Sequence, residues 1–315
     1  MTTRHLVDPE LLPGLEMFPG ITFDAAGLPA IRQLMAQMPE APPPAEDFAG
    51  TVERVTLPSS EGHEVPVIIH RPERLRERAP AILHIHGGGY IVGTAASSVP
   101  ANAALAGQLG CVVVSVDYRL APETPHPGPV EDCFTALCWL SENAAGLGID
   151  ATRIAVSGES AGGGLAAALC LVSRDRGGPA ICHQHLIFPM LDDRTTRESA
   201  GPQTGEFVWT PESNAFGWSA LLGVPAGSDG VSHYAAPARA PDLGGLPPAF
   251  ISVGSLDLFL VEDMDYARRL NEAGVPTELH VYPGAYHGFG IVRDAQVSRQ
   301  SAADSLAALR RALGA

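Results

Sequence analysis

Three side chains and one glycine run in this sequence have the types and spacing needed for acyl transfer. Gly158-Glu159-Ser160-Ala161-Gly162 is a G-x-S-x-G segment that follows the apolar run Ile154 to Ser157 and precedes a stretch of small residues. A serine on a tight turn between strand and helix projects its hydroxyl above a sheet. The flanking glycines permit the turn, and the helix N-terminus adds partial positive charge. Serine is a weak nucleophile at neutral pH and needs a base and a group that orients the base. Asp257 follows the run Ala249 to Val253 through Gly254-Ser255-Leu256, and His287 follows Thr277 to Tyr282 through Pro283-Gly284-Ala285-Tyr286. Both therefore fall in turn-like segments beyond strands, where a base and its partner belong. Upstream, the run Ala81 to Ile85 ends in His86-Gly87-Gly88-Gly89-Tyr90, whose bare amides suit a loop that donates to a developing oxyanion.

Other constellations are weaker. His183 and His185 stand at strand spacing, but no third ligand or acidic support accompanies them, so a packed or surface pair is favoured over a metal site and no metal is expected. Asp192 and Asp193 are an alternative to Asp257 as the acid, although they come early in the chain for that role. Gly162-x-Gly164-x-x-Ala167 matches a loose dinucleotide fingerprint, yet its glycines lie inside the helix and no acid follows at the ribose position, so close helix packing explains them better.

Composition bounds the function further. The 315 residues, 45% hydrophobic and 17% charged, suffice for a sizeable core. The 20 basic and 35 acidic side chains give a net charge of −15, which disfavours nucleic acid as a partner. Every basic residue is arginine; without lysine, Schiff-base, pyridoxal, P-loop and Ser-x-x-Lys chemistries are excluded. Cys111, Cys133, Cys138, Cys170 and Cys182 are odd in number and lack a C-x-x-C pair, which fits a reducing compartment. With no basic-then-apolar leader and no spanning run, a cytoplasmic protein without membrane insertion is expected.

Short apolar runs alternate with helical stretches from Thr51 onward, the pattern of an α/β fold. The expected strands are Thr51 to Leu57, Val65 to His70, Ala81 to Ile85, Cys111 to Val116, Ile154 to Ser157, Ile181 to Phe188, Ala249 to Val253 and Thr277 to Tyr282. Helices are expected near Val130 to Glu142, Ala161 to Arg174, Glu262 to Glu272 and Ser301 to Leu313. Residues 1–48 and 190–240 break the rhythm. The second carries Phe207, Trp209, Phe216 and Trp218, as a lid or binding element would, with a packing subdomain as the alternative.

His86-Gly87-Gly88-Gly89, the run Asp117-Tyr118-Arg119-Leu120-Ala121-Pro122-Glu123, the elbow Gly158 to Gly163, and Tyr282-Pro283-Gly284 with His287-Gly288-Phe289 together resemble the bacterial hormone-sensitive lipase-like esterases. This α/β-hydrolase family includes heroin esterase-type enzymes, and the likeness runs over nearly the whole chain. The order Ser160, Asp257, His287 agrees with that fold and differs from other serine hydrolases. The resemblance implies a mostly parallel central sheet flanked by helices, with core segments 49–189 and 241–315 and a helical cap built from 1–48 and 190–240. It also implies Ser160 as nucleophile, His287 as base, Asp257 as its partner, and the amides of Gly88, Gly89 and Ala161 as oxyanion hole. The chain departs from the family at Glu159, where aspartate is frequent. It departs again at Asp257-Leu258-Phe259-Leu260-Val261-Glu262, which keeps two acids of the usual block but makes its middle apolar.

The expected activity is hydrolysis of short to medium acyl esters without a cofactor, with Tyr90, Trp209 and Phe289 lining the pocket. Small esters are the expected partners, and a homodimer is compatible with the sequence. Amidase, lactonase or other acyl-transfer activity on the same site, or a ligand-binding homologue that has lost hydrolysis, are the alternatives. Deleting residues 1–45 is expected to change substrate preference and weaken binding more than it unfolds the core.

Overall fold

The apolar runs become strands of one sheet, in which Ala79–Ile85, Val112–Val116 and Ala249–Gly254 are buried on both faces whereas the edge strands Gly50–Pro58 and Thr277–Tyr282 stay partly exposed. The computed structural model describes residues 2–17, 23–37, 48–196 and 199–315. In chain order its elements are α1 (Leu12–Met17), α2 (Leu28–Gln37), β1 (Gly50–Pro58), β2 (Glu64–Pro72), β3 (Ala79–Ile85), α3 (Val99–Leu109), β4 (Val112–Val116), α4 (Gly128–Glu142), α5 (Ala144–Leu147), β5 (Ile149–Glu159), α6 (Ala161–Arg176), β6 (His183–Ile187), α7 (Pro211–Leu222), β7 (Ala249–Gly254), α8 (Leu260–Glu272), β8 (Thr277–Tyr282) and α9 (Gln296–Leu313). Part of the expected first cap segment, 18–22 and 38–47, lies outside the described residues.

The strand order is β1-β2-β4-β3-β5-β6-β7-β8. The pairs β1/β2 and β2/β4 are antiparallel and the remainder are parallel. Strand register sorts side chains between two helical layers with period two. Ile82, Val113 and Ala155 lie in register and pack with Ala106 of α3 and Leu309 and Leu313 of α9. Their neighbours Leu83, Val114 and Val156 belong to the larger core that includes residues of α4 and α6. Helices on both faces explain why the central strands are apolar throughout rather than alternating.

Among the described residues five helices, α1, α2, α3, α5 and α7, fall outside the four expected helical stretches. α3 is rich in alanine and glycine, with little contrast between its buried and exposed sides. α7 lies inside the aromatic insertion and starts at a Thr-Pro step: Thr210 accepts from the Ser213 amide at 3.3 Å, and Pro211 occupies the first turn. Cys111, Cys133 and Cys170 are buried, and all five cysteines are free.

Residues 2–17 are fastened to the far end of the chain. Val7 and Leu11 share an apolar cluster with Leu256, Tyr282, Ala285, Tyr286 and Phe289. The Asp8 amide donates to Gly284 O at 3.0 Å, and the Tyr286 hydroxyl donates to Leu11 O at 2.9 Å. The backbone amide and hydroxyl of Thr3 both reach the Glu206 carboxylate. No helix among the described residues is long and apolar enough to cross a membrane.

Three histidines are folded in as neutral groups. Burial lowers His70 and His183 from 6.5 to about 4, and burial with the added influence of His183 holds His185 well below 6.5. Folded-state values below the unfolded one mean that their contribution is complete above pH 6.5 and is lost as pH falls from 6.5 toward 4, where the unfolded chain binds more protons. Each of the first two can contribute up to about 3 kcal/mol across that window. The melting temperature should therefore fall steeply between pH 6.5 and 4, and His183→Gln should flatten that dependence; an unchanged slope would contradict the assignment.

Candidate active site

At the end of β5 the chain reverses sharply into α6, and Ser160 takes φ 56° and ψ −121°, a conformation that L-residues rarely adopt. Three backbone hydrogen bonds hold it there: Ser160 N donates to Ile187 O at 2.9 Å, and Ser160 O accepts from Gly164 N at 3.0 Å and Met190 N at 2.9 Å. A side chain at Gly158 would overlap the backbone of Gly162, and one at Gly162 would overlap the carbonyls of Ile85 and His86. The two flanking glycines thus permit close backbone approach around the turn. The same packing accounts for the apparent dinucleotide fingerprint, since a side chain at Gly164 would overlap Met190 O.

The structure brings Ser160, His287 and Asp257 together. His287 Nε2 is 3.0 Å from Ser160 Oγ, and its Nδ1 is 2.8 Å from Asp257 Oδ2. The second Asp257 oxygen accepts from the Phe259 amide at 3.0 Å, and the carboxylate is fully buried. The loops after β7 and β8 are tied to one another: Ser255 N donates to Tyr282 O and Leu256 N to Ala285 O, each at 2.9 Å, while Gly284 N donates to Ser255 Oγ.

The loop after β3 passes over the elbow. A methyl on Gly87 would stand 2.9 Å from Glu159 O and 3.5 Å from Ser160 Cβ. Gly88 and Gly89 have φ of 122° and 59°, left-handed values that glycine adopts without strain. The amides of Gly88, Gly89 and Ala161 donate to no acceptor among the described residues.

Glu159, the residue before the serine, faces His84 on the adjacent strand, with His84 Nε2 3.1 Å from Oε1. His84 Nδ1 is in turn 3.0 Å from Ser115 Oγ. Burial pushes the Glu159 carboxyl upward, but the neighbouring His84 outweighs it and holds the group below its ordinary value. The longer acid at the departure from the family thus finds a partner under the elbow.

The apolar middle of the segment after Asp257 turns inward. Leu258 and Phe259 are fully buried, and Phe259 meets the imidazole of His287 edge to face at 5.2 Å between centroids. Phe188, at φ 36°, meets the same ring at 4.8 Å. Sequence reasoning missed both aromatic walls; the phenylalanine in the altered block was the available signal for one of them. Glu262 retains a structural task, accepting from the amides of Leu191 and Asp192 at 2.7 and 3.1 Å and so tying the start of the insertion to α8.

Of the three residues expected to line the pocket, Trp209 faces the site, 6.5 Å from the His287 ring. Tyr90 does not: its ring is fully buried against Trp218 and its hydroxyl donates to Met190 O at 3.0 Å. Phe289 also belongs to the core, packed 5.7 Å from Tyr282 in the cluster beneath the His287 loop. Both corrections have one cause: proximity in sequence to a reactive residue does not fix which way a side chain turns. Asp192 pairs with Arg194, and Asp193 is buried against Arg239, so neither is the partner of His287. His183 and His185 lie 5.7 Å apart, with His185 Nε2 2.7 Å from Ser305 Oγ on α9.

The same three residue types meet a second time, at Ser59, His63 and Asp132. Ser59 Oγ is 2.9 Å from His63 Nδ1, and His63 Nε2 is 2.8 Å from Asp132 Oδ1. There the carboxylate is already engaged by Arg119 in a forked pair, and Ser59 Oγ accepts from its own hairpin through the His63 amide. This trio clamps the β1–β2 turn to α4, whereas Ser160 stands beside amides with nothing to donate to.

A family model described as alpha/beta hydrolase fold matches residues 82–291. The carboxylesterase NlhH of Mycobacterium tuberculosis is 37% identical over 322 residues, covering 99% of this chain and 98% of that protein. Among solved structures, a bacterial heroin esterase superposes with a TM-score of 0.89 at 40% identity, covering 99% of both chains. A hyperthermophilic esterase from the archaeon Pyrobaculum calidifontis superposes with a TM-score of 0.83 at 31% identity, covering 97% of this chain and 98% of that one. A serine elbow at the end of the central strand, followed by an acid after β7 and a histidine after β8, is the layout of that fold, and the chain belongs to the hormone-sensitive lipase-like family of α/β-hydrolases.

Proposed function

We propose that Ser160, His287 and Asp257 are the nucleophile, base and orienting acid of a carboxylic ester hydrolase that acts on short to medium acyl esters. The observation that carries this reading is the continuous hydrogen-bonded line from Asp257 Oδ2 through both nitrogens of His287 to Ser160 Oγ, with three undonated amides alongside. Esterases related over nearly the full length of the chain support the ester as substrate. Ser160 Oγ attacks the acyl carbon while His287 Nε2 takes the hydroxyl proton. The carbonyl oxygen becomes an oxyanion held by the amides of Gly88, Gly89 and Ala161. Collapse breaks the bond to the alkoxy oxygen, which leaves as an alcohol with the proton from His287. Water, deprotonated by the same nitrogen, then releases the acid and restores Ser160. Buried Asp257 fixes the tautomer and offsets the charge of the imidazolium as it forms.

The free cysteines fit a reducing cytoplasm. The edge strand β8 leaves Leu279 and Val281 exposed, as α8 does Val261 and Met264, and this face is our proposed contact for a second copy.

Ser160→Ala should reduce hydrolysis of nitrophenyl acetate and butyrate by at least about a thousandfold, and Asp257→Asn should lower kcat by roughly 10⁴-fold. Slow turnover equal to wild type in Ser160→Ala would remove the assignment. Residues 2–17 brace the loop that carries His287, so their removal should lower kcat by about 10- to 100-fold, more than it raises KM, in a chain that keeps its far-UV dichroism. A change in KM alone would place their action on substrate binding instead. Light scattering should report a dimer that Val281→Arg converts to monomer; a wild-type monomer at tens of micromolar, about the concentration of such a measurement, would refute the contact.

A further inference from the structure

A crevice of about 550 Å³ opens between α2 and α7 and is lined by Leu28, Pro29, Arg32, Phe216 and Ala220, among others. That volume falls within the range of ligand pockets, yet neither Ser160 nor His287 lines it. Trp209 connects the two places. On one side its ring presses against Gly89, where an added methyl would overlap the indole. On the other it lies 5.6 Å from Phe23, which leads into the α2 segment, and within 3.4 Å of where a side chain at Gly217 would begin on α7.

The tryptophan is held firmly in this position. The Trp209 amide donates to Phe207 O at 2.7 Å across Val208, whose φ of 64° is strained for a β-branched residue. Indole Nε1 donates to Asn214 Oδ1 at 3.1 Å, and the Asn214 amide nitrogen donates to Thr195 O at 3.0 Å. Gly217 lets α7 approach the loop after β3, because a methyl there would stand 2.8 Å from Gly89 O. Backbone strain kept at a site by surrounding bonds is a reason to look for function there.

We propose that Trp209 is the specificity-determining residue for acyl length, a door that closes the acyl side of Ser160 off from the crevice and confines the wild-type enzyme to short and medium acyl groups. The proposal rests on the catalytic reading of Ser160 given above. Trp209 is assigned to the acyl side because the leaving alkoxy oxygen must lie toward His287 Nε2, whereas the tightest contact of the indole is with Gly89; its ring also stands 6.5 Å from that of His287, and a series that varies only the alcohol tests the assignment. With the indole removed, a longer aliphatic acyl chain would run past Phe23 into the space between Leu28 and Phe216, whose surfaces are apolar.

Kinetics of nitrophenyl acetate, butyrate and octanoate test the door, with ethyl and hexyl acetate as a series that varies only the alcohol. Trp209→Ala should raise the octanoate-to-acetate ratio of kcat/KM at least about tenfold, the selectivity that a few methylenes command in an apolar pocket, and Trp209→Phe should move it the same way by less. Filling the crevice in the double variant Trp209→Ala with Ala220→Trp should return the ratio toward wild type, and the alcohol series should change by less than about twofold. An unchanged ratio in both single variants, a rise that Ala220→Trp does not reverse, or a response in the alcohol series instead would overturn the proposal. Ser160→Ala separates the two claims, because persistence of acetate hydrolysis in that variant sinks the catalytic reading whatever the chain-length result.

Discussion

The buried carboxylate of Asp257 is the constraint on which the site depends. A charge removed from water is tolerable only when its oxygens are satisfied, and here each has one partner: the Phe259 amide for Oδ1 and the His287 ring for Oδ2. The first is local, supplied by the turn into α8. The second is distant, and it demands that the loops after β7 and β8 meet. The backbone bonds between those loops and the packing of Val7 and Leu11 beneath them serve that demand. On the other side of the imidazole the constraint is Ser160, whose unfavourable backbone conformation survives because three hydrogen bonds oppose its relaxation.

The central strands were readable in the sequence because strands buried on both faces appear as continuous apolar runs, and all eight expected strands, the partly exposed edge strands β1 and β8 included, are present. The proposed reacting residues stand out for a related reason: a parallel sheet delivers the carboxyl ends of its strands to one edge, so a serine after β5, an acid after β7 and a histidine after β8 can converge. Side chains without a reaction to perform left weaker marks. Nothing in the order Gly89-Tyr90-Ile91 says that the tyrosine turns back toward Met190, and nothing around Phe188 says that it walls the imidazole, since both outcomes depend on contacts with distant segments. α3 was missed because alanine packs on any side, and α7 because aromatic residues obscured an ordinary Thr-Pro helix start.

The departures from the family pattern are internally compensated. Glu159 is longer than the aspartate often found before the nucleophile, and it reaches a histidine on the neighbouring strand. The apolar stretch after Asp257 puts Leu258 and Phe259 in the core, the second against the His287 ring, while Glu262 accepts from the segment after β6. Each exchange alters one layer of the support and leaves the reacting atoms within hydrogen-bond distance.

The attachment of residues 2–17 to the loop bearing His287 has a consequence for synthesis. Residues 2–17 cannot find their seat until the segment 282–289 has been made, so this contact, among the most distant in sequence, must form late. A nascent fragment that stops short of His287 lacks the imidazole, so the proposed centre cannot assemble in it.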